Sequence, residues 1–162
     1  MKLISLLEKL EYTCLQGSTD QEVKNVIYDS RKVEEGSLFI CIRGAVVDGH
    51  KFVPDVVAKG AKVLIVEEAV EAPEDVTVIL VKDTRYAMAF ISAAYFGYPA
   101  EKLKTIGITG TKGKTTTTYM VKSILENAGY KVGLIGTIEA IIGDKVIPAK
   151  NTTCLLYTSD AA

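Results

Sequence analysis

Apolar positions along the chain switch between two spacings, and the switches lay out an α/β order. Leu3, Leu6, Leu7 and Leu10 fall at i, i+3, i+4 and i+7, with Glu8, Lys9 and Glu11 off that stripe, which predicts an amphipathic N-terminal helix. Residues 26–28 and 38–42 are short β-rich runs on either side of a polar turn segment, 29–36. Phe52, Val53, Val56 and Val57, with Pro54 in the first turn and Gly60 after the last, predict a short capped helix. Residues 63–66 and 76–81 are unbroken apolar stretches flanked by charge, the pattern of strands covered on both faces. Asp83 or Thr84 then caps a helix in which Ala87, Phe90, Ile91, Ala94 and Tyr95 share one face, stopped by Gly97 and Pro99. That stripe is expected to pack on the unit that follows it.

The second half repeats the alternation. Residues 105–109 predict a buried strand, a glycine-rich stretch follows, and Met120, Val121, Ile124, Leu125 and Ala128 mark one face of a helix ending at Gly129. Residues 131–135 read as the next strand, and 138–142 and 145–147 flank Gly143-Asp144 as a hairpin. The fold class is therefore α/β. A small N-terminal α/β domain is expected at 1–82, and the first strands and helix of a P-loop ATPase-type domain at 83–153, with too few strands to complete its sheet. Residues 154–162 show no periodicity and read as a tail foreign to what precedes them.

Composition narrows the classes. With 162 residues and 48% hydrophobic content the chain can bury a core. The longest uncharged run, 86–100, contains Gly97 and Pro99 and falls short of the roughly 20 apolar residues a membrane helix needs, so no membrane insertion is expected. A charge follows within a few residues of Met1, which makes a poor signal peptide and points to the cytoplasm. Nineteen basic against 20 acidic residues give a net charge of −1 and no footprint for nucleic acid, so an anionic ligand must be gripped locally. Cys14, Cys41 and Cys154 are odd in number and lack metal-type spacing, which fits a reducing compartment. A monomer is assumed.

Local grip is what the glycine-rich stretch offers. Gly110, Thr111, Lys112, Gly113, Lys114, Thr115 and Thr116 carry the chemistry of a phosphate-binding loop. The glycines let backbone amides approach an anion, Lys114 adds charge, and Thr115 supplies a hydroxyl for a phosphate-bound Mg²⁺. The spacing Gly110-x-x-Gly113-Lys114-Thr115 is shorter than the common form, in which four residues separate the first glycine from Gly-Lys. Strand, glycine loop, helix and strand in that order nevertheless supply the context that a nucleoside triphosphate site requires.

A second polar constellation lies at the strand exits of the first half, where ligands of open α/β sheets collect. It comprises Asp29-Ser30-Arg31 and the run from Arg43 through Gly44, Ala45, Val46 and Asp48 to His50, the only histidine. From the residues alone, the first reads as a solvated loop and His50 as a hydrogen-bonded loop residue.

Together these motifs resemble the Mur ligases, the ATP-dependent amide-bond-forming enzymes of peptidoglycan precursor synthesis. Gly110 to Thr116 resembles their ATP-binding signature. Asp29-Ser30-Arg31, Gly36-x-Leu38-Phe39, Arg43-Gly44 and Asp48-Gly49-His50-x-Phe52 are similar to the uridine-nucleotide-binding domain of the third and fourth ligases. Gly133 to Thr137 and Asn151-Thr152-Thr153 favour the third. The resemblance implies that Ser30, Arg43, Gly44, Ala45 and Val46 hold the UDP part of a UDP-N-acetylmuramoyl-dipeptide, with Asp48 and His50 shaping that loop. It implies that Asn151, Thr152 and Thr153 meet the muramoyl-peptide, and that Lys114 is the catalytic cation on ATP with Thr115 on Mg²⁺. The implied reaction activates the dipeptide's terminal carboxylate as an acyl phosphate, which a diamino acid, meso-diaminopimelate or L-lysine, then displaces. After Thr153 the family pattern has proline and a long continuation, so the chain is expected to be truncated and inactive alone. Two alternatives stay open: a stand-alone nucleotide-binding regulatory module, and a ligase like folylpolyglutamate synthetase, which shares a similar loop.

Overall fold

A computed structural model describes residues 1–44 and 47–149, and the chain divides into two compact units, Met1–Leu103 and Lys104–Ala162. The first is built on a five-stranded sheet. Its strands are β1 (Tyr12–Gln16), β2 (Asn25–Ile27), β3 (Ser37–Ile40), β4 (Val63–Val66) and β5 (Thr77–Val81), in the order β1-β5-β4-β3-β2. β2 to β5 run parallel and β1 is antiparallel to β5.

Both faces of this sheet are covered, which is why β3 and β4 are apolar without alternation and every one of their residues is buried. Phe39, Leu64, Val66 and Val78 join Val53 and Val56 of helix α2 (Val53–Ala58) in one core cluster. Successive strand residues point to opposite faces, so Leu38, Ile40, Val63, Ile65 and Ile79 lie on the other side. There helix α3 (Thr84–Tyr95) packs against helix α1 (Leu3–Leu7) and touches β2. Leu3, Leu6 and Leu7 are buried as the spacing predicts, while Leu10 falls beyond the helix in a turn.

Three expectations change. α3 belongs to the first unit, not to the one after it, because its buried Ala87, Ile91 and Ala94 close the α1 face of the sheet; the unit thus runs to Leu103, past the boundary at 82. β1 carries no apolar signal because four of its five residues are exposed at the sheet edge, and register with β5 holds it there. The strand expected at 105–109 has no strand partner among the described residues, and Ile106 is 64% exposed. An apolar run becomes a strand only where a neighbour takes its backbone hydrogen bonds.

The second unit contains helix α4 (Lys114–Asn127) and an antiparallel meander of β6 (Gly133–Ile135), β7 (Glu139–Ile142) and β8 (Lys145–Pro148). The hairpin at Gly143-Asp144 is present, with Gly143 at a φ of 56°. α4 contacts β6, and Tyr119 donates its hydroxyl to Glu139 Oε1 at 2.5 Å. The helix buries none of its residues, and Met120 and Ile124 are 60% and 67% exposed. No helix among the described residues is long and apolar enough to cross a membrane.

Candidate functional site

In the first unit four connections leave the same edge of the parallel sheet, the carboxyl ends of β2 to β5, which is where open α/β sheets bind ligands. They carry Asp29 and Ser30 after β2, Arg43 to His50 after β3, Glu67 and Glu68 after β4, and Asp83 to Arg85 after β5.

Asp29 caps the 3-10 turn Ser30–Lys32: its carboxylate accepts from the Arg31 N–H at 3.1 Å and from the guanidinium at 2.9 and 2.8 Å. The guanidinium bonds foremost, aided by that amide, hold the Asp29 carboxyl down to about 2. The Ser30 carbonyl accepts from Lys59 Nζ at 3.0 Å, which ties the turn to the end of α2.

After β3 the chain folds back on itself. Arg43 and Asp48 form an isolated antiparallel bridge, Gly44 donates to the Val47 carbonyl at 2.9 Å, and Gly49 donates to the Ile42 carbonyl at 2.9 Å. Glycine is needed at 49 because a Cβ there would lie 2.7 Å from Ile42 N and 2.8 Å from its oxygen. Asp48 Oδ1 accepts from the His50 N–H at 3.0 Å and lies 2.6 Å from His50 Nδ1. That backbone bond first, then the ring, keeps the Asp48 carboxyl below its usual range. His50 is buried, and its Nε2 accepts from the Glu67 N–H at 2.9 Å, which leaves the proton on Nδ1 for Asp48. These bonds fix the His50 ring between Asp48 and the Glu67 backbone.

Sequence reasoning missed Glu67, Glu68, Thr84 and Arg85. Arg43 pairs with Glu68, lies 3.3 Å from Asp48 and 3.8 Å from Glu67, and its carbonyl accepts from Arg85 Nη2 at 3.0 Å. Glu67 Oε1 accepts both the N–H and the hydroxyl of Thr84, at 2.8 and 2.7 Å. The available signal was an acidic pair following four apolar residues, a charge placed where a buried strand leaves the sheet. Asp48, His50 and Glu68 could also be read as a metal-ligand group. Both ring nitrogens of His50 are committed and the Arg43 guanidinium already pairs with both carboxylates, so the cluster is an ion-pair network.

In the second unit the glycine loop has the expected backbone. Gly110 has a φ of 153° and Gly113 a φ of 76°, the latter at the N-cap of α4 in the left-handed region that other residues enter at a cost. Thr111 and Lys112 are exposed, and Lys114, Thr115 and Thr116 form the first turn of the helix, where backbone N–H groups have no intrahelical partner. Lys114 Nζ donates back to the Gly110 carbonyl at 2.7 Å, across the loop. Thr117 and Thr118 turn their hydroxyls onto the carbonyls of Gly113 and Thr115 at 2.9 and 2.7 Å. Among the described residues the hydroxyls of Thr115 and Thr116 have no such partner, and Thr116 is exposed. Amides without intrahelical partners, one cation and unspent hydroxyls on one turn are the groups an oxyanion site would draw on. Ala45, Val46, Asn151, Thr152 and Thr153 lie outside the described residues.

Residues 22–96 match the Mur ligase family, catalytic domain, and residues 108–158 match the Mur ligase middle domain. The chain is 53% identical over 153 residues to the UDP-N-acetylmuramoyl-L-alanyl-D-glutamate–2,6-diaminopimelate ligase of Clostridium perfringens, covering 94% of this chain and 32% of that protein. It is 48% identical over 156 residues to the ligase of the same name from Clostridium tetani, again covering 94% and 32%. The chain thus spans about a third of the length of the curated relatives it matches. A crystal structure of MurF from Acinetobacter baumannii superposes with a TM-score of 0.63 at 33% identity, covering 85% of this chain and 28% of that one.

Proposed function

This chain belongs to the Mur ligase family, and on that premise we propose that the protein it represents is an ATP-dependent ligase acting in the cytoplasm on a peptidoglycan precursor. The reaction is that of a UDP-N-acetylmuramyl-tripeptide synthetase: a diamino acid is joined to UDP-N-acetylmuramoyl-L-alanyl-D-glutamate. The observation that carries this reading is the 53% identity running through both units to a ligase named for that substrate and for 2,6-diaminopimelate. The shared name of the relatives favours 2,6-diaminopimelate over L-lysine as the incoming amine.

The sheet edge bearing Ser30, Arg43, Gly44, Asp48 and His50, with Ala45 and Val46, takes the uridine nucleotide. Asn151, Thr152 and Thr153 take the muramoyl-peptide. The loop from Gly110 to Thr116 takes the ATP phosphates on its amides, with Lys114 beside the β- and γ-oxygens. The unspent Thr115 hydroxyl fits a place on Mg²⁺, which would neutralise phosphate charge. Transfer of a phosphoryl group to the dipeptide carboxylate builds negative charge on oxygen, so a cation fixed at the loop stabilises the transition state above the ground state. The acyl phosphate so formed is open to attack by the amine.

Calorimetric titration of the chain with ATP and with the UDP-muramoyl-dipeptide tests the two binding claims separately. Micromolar saturation by the dipeptide supports the ligase reading. Binding of ATP with none of the dipeptide would replace it with a general nucleotide module.

A further inference from the structure

Glu67 sits one residue beyond β4, and its side chain is only 18% exposed. It reaches in three directions. Its N–H donates to His50 Nε2, its Oε1 takes both donors of Thr84, and its Oε2 lies 3.8 Å from Arg43 Nε. Thr84 is fully buried at the start of α3. Arg43 faces Asp48, Asp48 holds His50, and His50 accepts from Glu67, which closes a ring of four residues around the base of the β3 connection.

The charges in that ring decide what Arg43 can do. Its guanidinium meets the carboxylates of Asp48, Glu67 and Glu68, three negative charges against one positive. A diphosphate arriving at Arg43 would have to displace carboxylates that already satisfy it, and would meet their repulsion. Arg43 is better matched to holding the connection in shape so that its backbone presents donors and acceptors.

We propose that Glu67 and Thr84 are positioning residues for the nucleotide half of the site, locking Arg43 and His50 through this ring, and that Arg43 is a structural cation and not a ligand of the diphosphate. The inference rests on the uridine-nucleotide reading given above. Its consequence is that α3 and the β3 connection are one mechanical unit: what disturbs the first residue of the helix disturbs the nucleotide edge.

Because His50 is the only histidine, its ring nitrogens give an unambiguous signal in the whole chain. A long-range proton–nitrogen spectrum of histidine-labelled protein should show the Nδ1-protonated tautomer. Thr84→Val should shift that signal and weaken binding of UDP-muramoyl-dipeptide roughly tenfold, the loss of one charge-assisted hydrogen bond. Thr84→Ser, which keeps the hydroxyl, should restore both. Arg43→Met should weaken uridine and UDP by the same factor, since a positioning residue acts on the whole edge. If Thr84→Val does not fold, Glu67→Gln, similar in shape without the charge, should weaken uridine and UDP alike. An unmoved His50 signal with unchanged affinity, or an Arg43→Met variant that loses UDP binding while keeping uridine, overturns the proposal. Failure of the wild-type chain to bind either compound overturns the nucleotide reading and the positioning role with it, while the His50 spectrum still decides whether the ring exists.

Discussion

At the scale of single residues, burial separates groups of the same chemistry. Cys41 is fully buried at the end of β3, and burial pushes its thiol up to about 12, whereas Cys14 is exposed on the edge strand. The thiolate is the reactive form. Brief alkylation of the native chain at pH 8 followed by peptide mapping should label Cys14 and spare Cys41. Asp29 offers a pH test. Its folded carboxyl is lowered to about 2 from an ordinary value of 3.8, so the stability it contributes is present above about pH 4 and disappears as pH falls toward 2. Asp29→Asn should therefore lower the melting temperature at pH 7, with the gap to wild type closing on acidification. A gap that widened below pH 4 would contradict the assignment. Gly113 has open space where a Cβ would go, so Gly113→Ala meets only the left-handed backbone, worth about 1–2 kcal/mol. The loop should yield before the helix does. ATP affinity measured by titration should fall while helical circular dichroism is kept.

At the scale of elements, the readable parts were those whose residues answer to the core. Leu3, Leu6 and Leu7, the apolar blocks of β3 and β4, and Ala87, Ile91 and Ala94 of α3 are all buried where their spacing put them. Leu64 lies in the middle of β4 at 0% exposure, so Leu64→Ala should cost roughly 2–5 kcal/mol in chemical denaturation, the range for emptying a packed leucine site. What was illegible has no core signature. β1 is an exposed strand held by register and by Gln16, whose side-chain amide donates to the carbonyls of Pro73 and Val76 at 2.6 and 2.9 Å. The run at 105–109 is apolar yet exposed, because apolarity predicts burial and cannot supply the strand that would pair with it. At the candidate site the glycine loop was legible because its chemistry is contiguous. The ring through Arg43, Asp48, His50 and Glu67 was legible only in part, since its members come from connections 17 residues and more apart in sequence.

At the scale of the whole molecule, stability is unevenly shared. Among the described residues every buried hydrophobic except Leu134 and Ala140 lies in the first unit. A chain of residues 1–103 should therefore fold by itself, melt within a few degrees of the main transition of the full chain, and keep the His50 signal. Loss of cooperative unfolding in that piece would show that the first unit depends on the second.

Lys114 spans the glycine loop to a carbonyl, a neutral dipole, and not to a carboxylate. The positive charge is therefore parked and not neutralised. A phosphate that takes it must break one charge–dipole contact and meets no resident anion in that contact, so exchange between the two states should be fast and its barrier low. On the ATP reading proposed for the loop, the lysine is a charge held in reserve beside the Gly110 carbonyl, to be released by the first phosphate oxygen that reaches it.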